Sequence, residues 1–104
     1  MYKVKVAPEA ANMLTNYAVQ FAANSGEQTA NRLILSYEKS VESLKEFPAR
    51  GSKKLPYMPT EYRIIPFWKY LWFVYLIDDV AKAVFVDYIL GDRSDFRVLF
   101  GNDK

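Results

Sequence analysis

Neither cysteine nor histidine occurs in this 104-residue chain. Without cysteine there is no disulfide, no thiolate nucleophile and no cysteine-ligated zinc. Without histidine the commonest general base and the commonest transition-metal ligand are gone as well. Charge of one sign is scarce: 14 Lys plus Arg against 12 Asp plus Glu leave a formal net charge of +2. Any nucleic-acid contact must therefore come from local clustering of cations. Long apolar runs are missing too. None approaches the roughly 20 residues of a membrane span. Met1-Tyr2-Lys3-Val4-Lys5 is no apolar leader. The expectation is a cytoplasmic protein that makes no membrane contact.

What is present fits a single folded domain over residues 1–104: 51% hydrophobic and 25% charged residues. Aromatics are abundant at 16%, with 8 Tyr, 7 Phe and 2 Trp. They give a small core much apolar area per residue, yet a chain this short cannot hide them all. Aromatics left at the surface favour a partner-binding face.

Tyr2 to Ala7 alternates, with Tyr2, Val4 and Val6 on one side and Lys3 and Lys5 on the other, as in a half-buried strand. Pro8 suits the first position of a helix and Glu9 its positive end. Leu14, Tyr17, Ala18 and Phe21 then form one helical stripe. At Asn24-Ser25-Gly26 the pattern breaks. Gly26 can close the first helix, or Ser25 and Gln28 can box the start of the next. The second helix carries Ala30, Leu33, Ile34, Tyr37, Val41 and Leu44 inward and a charged face outward, including the pair Glu42 and Lys45. With so short a break the two helices should form an αα-hairpin.

Phe47-Pro48 ends the second helix, because the residue before proline is pushed out of helical geometry. Pro48 to Thr60 follows, a basic loop with three of the five prolines, Arg50, Lys53, Lys54 and no acid. Then the period becomes that of strands: Glu61 to Ile65, a turn at Pro66-Phe67-Trp68-Lys69, Tyr70 to Ile77, a turn at Asp78-Asp79, and Ala83 to Leu90. The last strand should show Val84, Val86 and Tyr88 on one face and Phe85, Asp87 and Ile89 on the other. A tail, Arg93 to Lys104, comes after Gly91-Asp92. The fold class is α+β, in the order β-α-α-β-β-β: an antiparallel sheet packed on an N-terminal helical hairpin, its far face partly open.

The order and spacing of several pieces carry a family likeness. They are Tyr2-Lys3-Val4-Lys5-Val6 before Pro8-Glu9-Ala10, the run from Ala30 to Phe47-Pro48-Ala49-Arg50-Gly51, Tyr62-Arg63-Ile64, Lys69-Tyr70-Leu71, and Ile89-Leu90-Gly91-Asp92-Arg93-Ser94-Asp95-Phe96. Together they resemble the RelE/ParE toxin superfamily of bacterial type II toxin–antitoxin systems. The resemblance implies a growth-inhibiting toxin neutralised by a cognate antitoxin, with no cofactor and no metal.

RelE-type members cut mRNA on the ribosome, and the resemblance places candidate catalytic cations at Arg63 and Arg93. It places RNA- or target-binding groups at Arg50, Lys53, Lys54 and Phe96. Arginine suits such work because its planar fork meets phosphate oxygens two at a time. The chain departs from the nuclease pattern at Ile65 and Leu71, where active nucleases often carry basic residues, and at Phe96, where a tyrosine is frequent. A phenyl ring can stack on a base but cannot give a proton. ParE-type members inhibit DNA gyrase by binding and generally lack the nuclease set. The reading is a toxin that cuts mRNA, with the gyrase inhibitor and a relic that only binds antitoxin as alternatives. For Arg63 a plain structural role also stands, paired with an acid such as Asp87. Trp68, placed in a turn, is a candidate anchor for a partner.

Overall fold

In a computed structural model, which describes residues 1–51, 62–69 and 71–91, the chain runs through β1 (Lys3–Val6), α1 (Pro8–Ser25) and α2 (Glu27–Glu46). A 3-10 turn (Pro48–Arg50) follows, then β2 (Arg63–Trp68), β3 (Leu71–Asp78) and β4 (Ala83–Leu90). Pro8 stands in the first turn of α1 and Glu9 beside it, as the helix N-terminus favours. Between the helices Gly26 resolves the open choice. Its N–H donates to Ala22 O at 3.0 Å, so it closes α1, and no side chain caps α2. Its φ of 95° and ψ of 163° lie in a region that is essentially glycine's own.

The strands form one sheet in the order β1-β4-β3-β2. β2, β3 and β4 make the expected antiparallel meander, while β1 joins β4 in parallel, so the sheet is mixed. A parallel neighbour requires a long crossover, and here the helical hairpin and the meander lie between the two strands in sequence. Both helices cover the same face. Ala10 and Leu14 from α1 and Leu33 and Leu44 from α2 meet Ile65, Leu71, Phe73, Tyr75, Val84, Val86 and Ile89 of the sheet. Burying each large apolar side chain in such a core stabilises by roughly 1.5–3 kcal/mol. Three rings knit the α2 end of this core: Phe67 stacks on Phe73 with centroids 4.3 Å apart, and Tyr37 meets both edge-on.

The other face holds a small cluster of its own, with Ile64, Val74 and Leu90 buried beneath half-buried Tyr62, Trp72 and Tyr88. Two expectations about the strands change. β2 does not turn at Pro66 but continues to Trp68, with the register slipping between those residues. Proline is tolerated there because β2 is an outer strand. β4 does not alternate strictly: Val74 pairs with Tyr88 but Tyr75 with Val86, so Asp87 is an extra residue in a bulge. The bulge turns Ile89 toward the helices with Val84 and Val86, and sends Tyr88 to the opposite face.

The turn between β3 and β4 is built as the two aspartates suggest. Asp78 Oδ1 accepts the N–H groups of Val80 and Ala81 at 3.1 and 3.0 Å, and Tyr2 donates its hydroxyl to Asp79 at 2.6 Å.

Candidate functional site

α2 ends in a 3-10 turn, Pro48–Arg50. This turn is where the described part of the candidate site lies. Tyr75 is fully buried on β3, and a buried phenol needs partners for its hydroxyl. It donates to Pro48 O at 2.6 Å and accepts the Gly51 N–H at 3.0 Å, so it grips both ends of the 3-10 turn. Directly opposite Tyr75 on β2 is Arg63. Its Nη1 donates to Ala49 O at 3.3 Å and to Gly51 O at 3.0 Å, bracketing Arg50 from both sides. Arg50 in turn donates through Nη1 to the Ser43 hydroxyl of α2.

Glycine at position 51 follows from this packing rather than from its backbone, which is extended. A β-carbon there would strike the Tyr75 hydroxyl and lie 2.8 Å from Ile64 O and 3.0 Å from Tyr75 Cε1. Burial pushes the Tyr75 phenol above its ordinary value, while the Gly51 N–H and then the Arg63 and Arg50 guanidiniums pull it back. Its proton is committed to a buried carbonyl, so Tyr75 is a structural post and no ready acid.

Of the residues singled out from the sequence, Arg63 and Arg50 are thus brought to one corner. Lys53, Lys54, Arg93 and Phe96 lie outside the described residues. Arg63 does not pair with Asp87. That carboxylate accepts the Tyr62 hydroxyl at 2.7 Å, and Arg63 turns to backbone carbonyls instead. Among the described residues those bonds engage only Nη1, and the other nitrogens of the half-buried guanidinium are donors suited to an anion. Ile65 and Leu71, at the positions where nucleases often place cations, are buried in the helix-side core. Trp68 is no free anchor: it ends β2, meets Phe21 of α1 edge-on at 5.0 Å and lies under the Lys69 ammonium at 4.8 Å. Tyr75 is the residue that sequence reasoning missed. The available signal was a lone hydroxyl in the most apolar strand of the chain.

Among the described residues no group of three or more His, Cys, Asp or Glu side chains could hold a metal, and no helix is long and apolar enough to cross a membrane. The chemistry on offer is that of two arginines on a braced segment: binding and orienting an anionic or carbonyl-rich partner.

No protein-family model and no curated protein matches the chain. Among solved structures, one titled as the chromosomal ParDE TA system from P. aeruginosa superposes with a TM-score of 0.72. The match covers 89% of this chain and 98% of the other at 14% identity. The fold is the RelE/ParE fold. At that identity the likeness is one of architecture, with few side chains in common.

Proposed function

We propose that the chain is the toxin half of a type II toxin–antitoxin pair and that it arrests growth by binding its target rather than by cutting RNA. The observation that carries the mode of action is the use made of the would-be catalytic positions. Ile65 and Leu71 are core side chains, and Arg63 is tied to two carbonyls. An in-line attack on a phosphate needs cations free to follow the developing charge, together with an acid for the leaving oxygen. Among the described residues the corner supplies two arginines and no accessible acid. For a binding toxin DNA gyrase is the target that the RelE/ParE resemblance names, and a cognate antitoxin is the partner that would neutralise it. The gathering of Arg50 and Arg63 at one corner favours the second reading, ribosome-dependent mRNA cleavage with both arginines on the RNA backbone.

Inducible expression in bacteria, with labelled thymidine and methionine uptake followed over minutes, separates the readings. Thymidine uptake is expected to fall first, with mRNA intact. A prompt fall in protein synthesis with cleaved mRNA would overturn the binding mode and favour the nuclease. Unaltered uptake of both would overturn the toxin reading itself.

A further inference from the structure

We propose that the outer side of the helical hairpin, centred on α1, packs against the same surface of a second copy of this chain to form a twofold dimer. The inference does not depend on the toxin reading. A helix that lies on a sheet ordinarily turns charges to the water. α2 does so, with Arg32, Glu38, Lys39 and Glu42 exposed. α1 does not, for no charged side chain lies between Glu9 and Glu27. Its exposed side is built of two neighbouring rows with a step of four residues, the ridges by which helices pack on one another. One row is Ala11, Thr15, Val19 and Ala23, and the other is Asn12, Asn16, Gln20 and Asn24, all of them exposed.

The first row can leave water without loss. Val19 is 62% exposed on the side of α1 away from buried Leu14, and the Thr15 hydroxyl already donates to Ala11 O at 3.1 Å. The helices turn back on each other at Gly26, which brings Leu35 of α2, itself 57% exposed, to about the level of Val19. Apolar side chains with charge depleted among them are the composition of an interface core. The second row decides the occupant. An amide both donates and accepts, so like residues can bond across a twofold axis where like charges would repel. α1, with 18 residues, is about 27 Å long. One such helix offers less than the roughly 800 Å² that each partner gives to a stable interface, so the side of α2 around Leu35 must share in the contact. There Arg32 and Lys39 stand among Glu38 and Glu42, and an antiparallel copy can set cation against acid. A contact of this size corresponds to a dissociation constant of about 1–100 µM.

The test is sedimentation velocity of the full chain from about 1 to about 300 µM, a range that brackets this constant. A reversible shift from monomer to dimer is expected. Val19→Lys should weaken it roughly tenfold or more, because the axis brings the two new charges together. Val80→Lys puts the same charge on an exposed valine in the turn between β3 and β4 and should leave the dimer unchanged. Two altered second rows, Asn16→Asp with Gln20→Glu and Asn16→Lys with Gln20→Lys, should each keep the chain monomeric by itself and associate when mixed. All these changes are at exposed positions. A chain that stays monomeric at every concentration would overturn the second copy as the occupant. So would a dimer that Val19→Lys leaves intact, one that Val80→Lys weakens as much, or acidic and basic rows that fail to associate when mixed.

Discussion

β2 and β1 are the two outer strands of one sheet, and the chain finishes them by different means. β2 is braced by what precedes it: Arg63 and its neighbour Tyr75 hold the exit of α2, and Pro66 with a register slip spoils the far end of the strand for pairing. β1 has only charge on its outer side, from Lys3 and Lys5, and a single tie from Tyr2 to α2. The two solutions respond to different variables. Short-range hydrogen bonds to backbone groups hardly feel salt, whereas exposed charges are screened beyond about 8 Å at physiological ionic strength. The β2 corner therefore answers to packing, and the β1 edge to charge.

The hardest blow to the β2 corner is Gly51→Ala. The new methyl meets the Tyr75 hydroxyl and the Ile64 carbonyl, and neither can move without unseating a fully buried ring or a strand. Overpacking together with loss of the Gly51 hydrogen bond should cost about 2–4 kcal/mol in denaturant unfolding. A cost under about 0.5 kcal/mol, the level of an ordinary surface change, would mean that the corner is not tightly packed.

Tyr75→Phe keeps the ring and removes the post. Pro48 O and the Gly51 N–H both lose their partner, for a cost of about 1–3 kcal/mol. The variant also changes the alkaline limb. The Tyr75 phenol is raised above 10.0 by burial, so as pH rises the unfolded chain gives up this proton first. The contribution is whole below pH 10.0 and is lost as pH climbs through the folded value. Tyr37, raised by burial and by Glu38, acts in the same sense. The parent should therefore lose stability above pH 10.0 more steeply than Tyr75→Phe. Parallel curves would show that the phenol titrates alike in both states.

Arg63→Ala should cost less, about 1 kcal/mol, because the guanidinium is half-buried and water can reach the carbonyls it leaves. Its use lies in separating brace from site. If Arg63 acts on the target only by holding the turn around Arg50, then growth arrest should weaken in proportion to the stability lost, and Arg63→Lys should restore much of both. Arrest abolished in a variant of nearly full stability would instead make Arg63 a direct contact.

How much of this was legible in sequence follows from the range of each signal. Helix faces, the break at Gly26 and the Asp78 turn depend on residues a few places apart, and the pattern showed them. The turn after α2 depends on Tyr75 meeting Pro48 and Gly51 more than twenty residues away, which no local period records. The bulge at Asp87 hid behind a run that alternates well enough on paper. An acid in the middle of an otherwise apolar strand was the one hint, because strict alternation would have put Asp87 and Ile89 on the same face. The residues of the proposed site that resemblance alone supplied, Lys53, Lys54, Arg93 and Phe96, stay at the level of that resemblance.

The smallest effect is expected at β1. Tyr2→Phe removes the hydroxyl that reaches Asp79 but leaves the ring under Lys82 and the backbone tie to Lys45 intact. The hydroxyl and the carboxylate are both exposed and simply return to water, so thermal unfolding should not shift measurably. Amide exchange is the finer probe. Val4 and Val6, whose N–H groups face outward because Lys3 and Ala7 turn theirs to the β4 side, should exchange fast in parent and variant alike, while Gly51 exchanges slowly in both. A drop in Gly51 protection on changing Tyr2 would show that the two corners move as one unit and remove the contrast between them. Fast exchange confined to β1 would show that its outer edge opens while the rest of the sheet is fully formed.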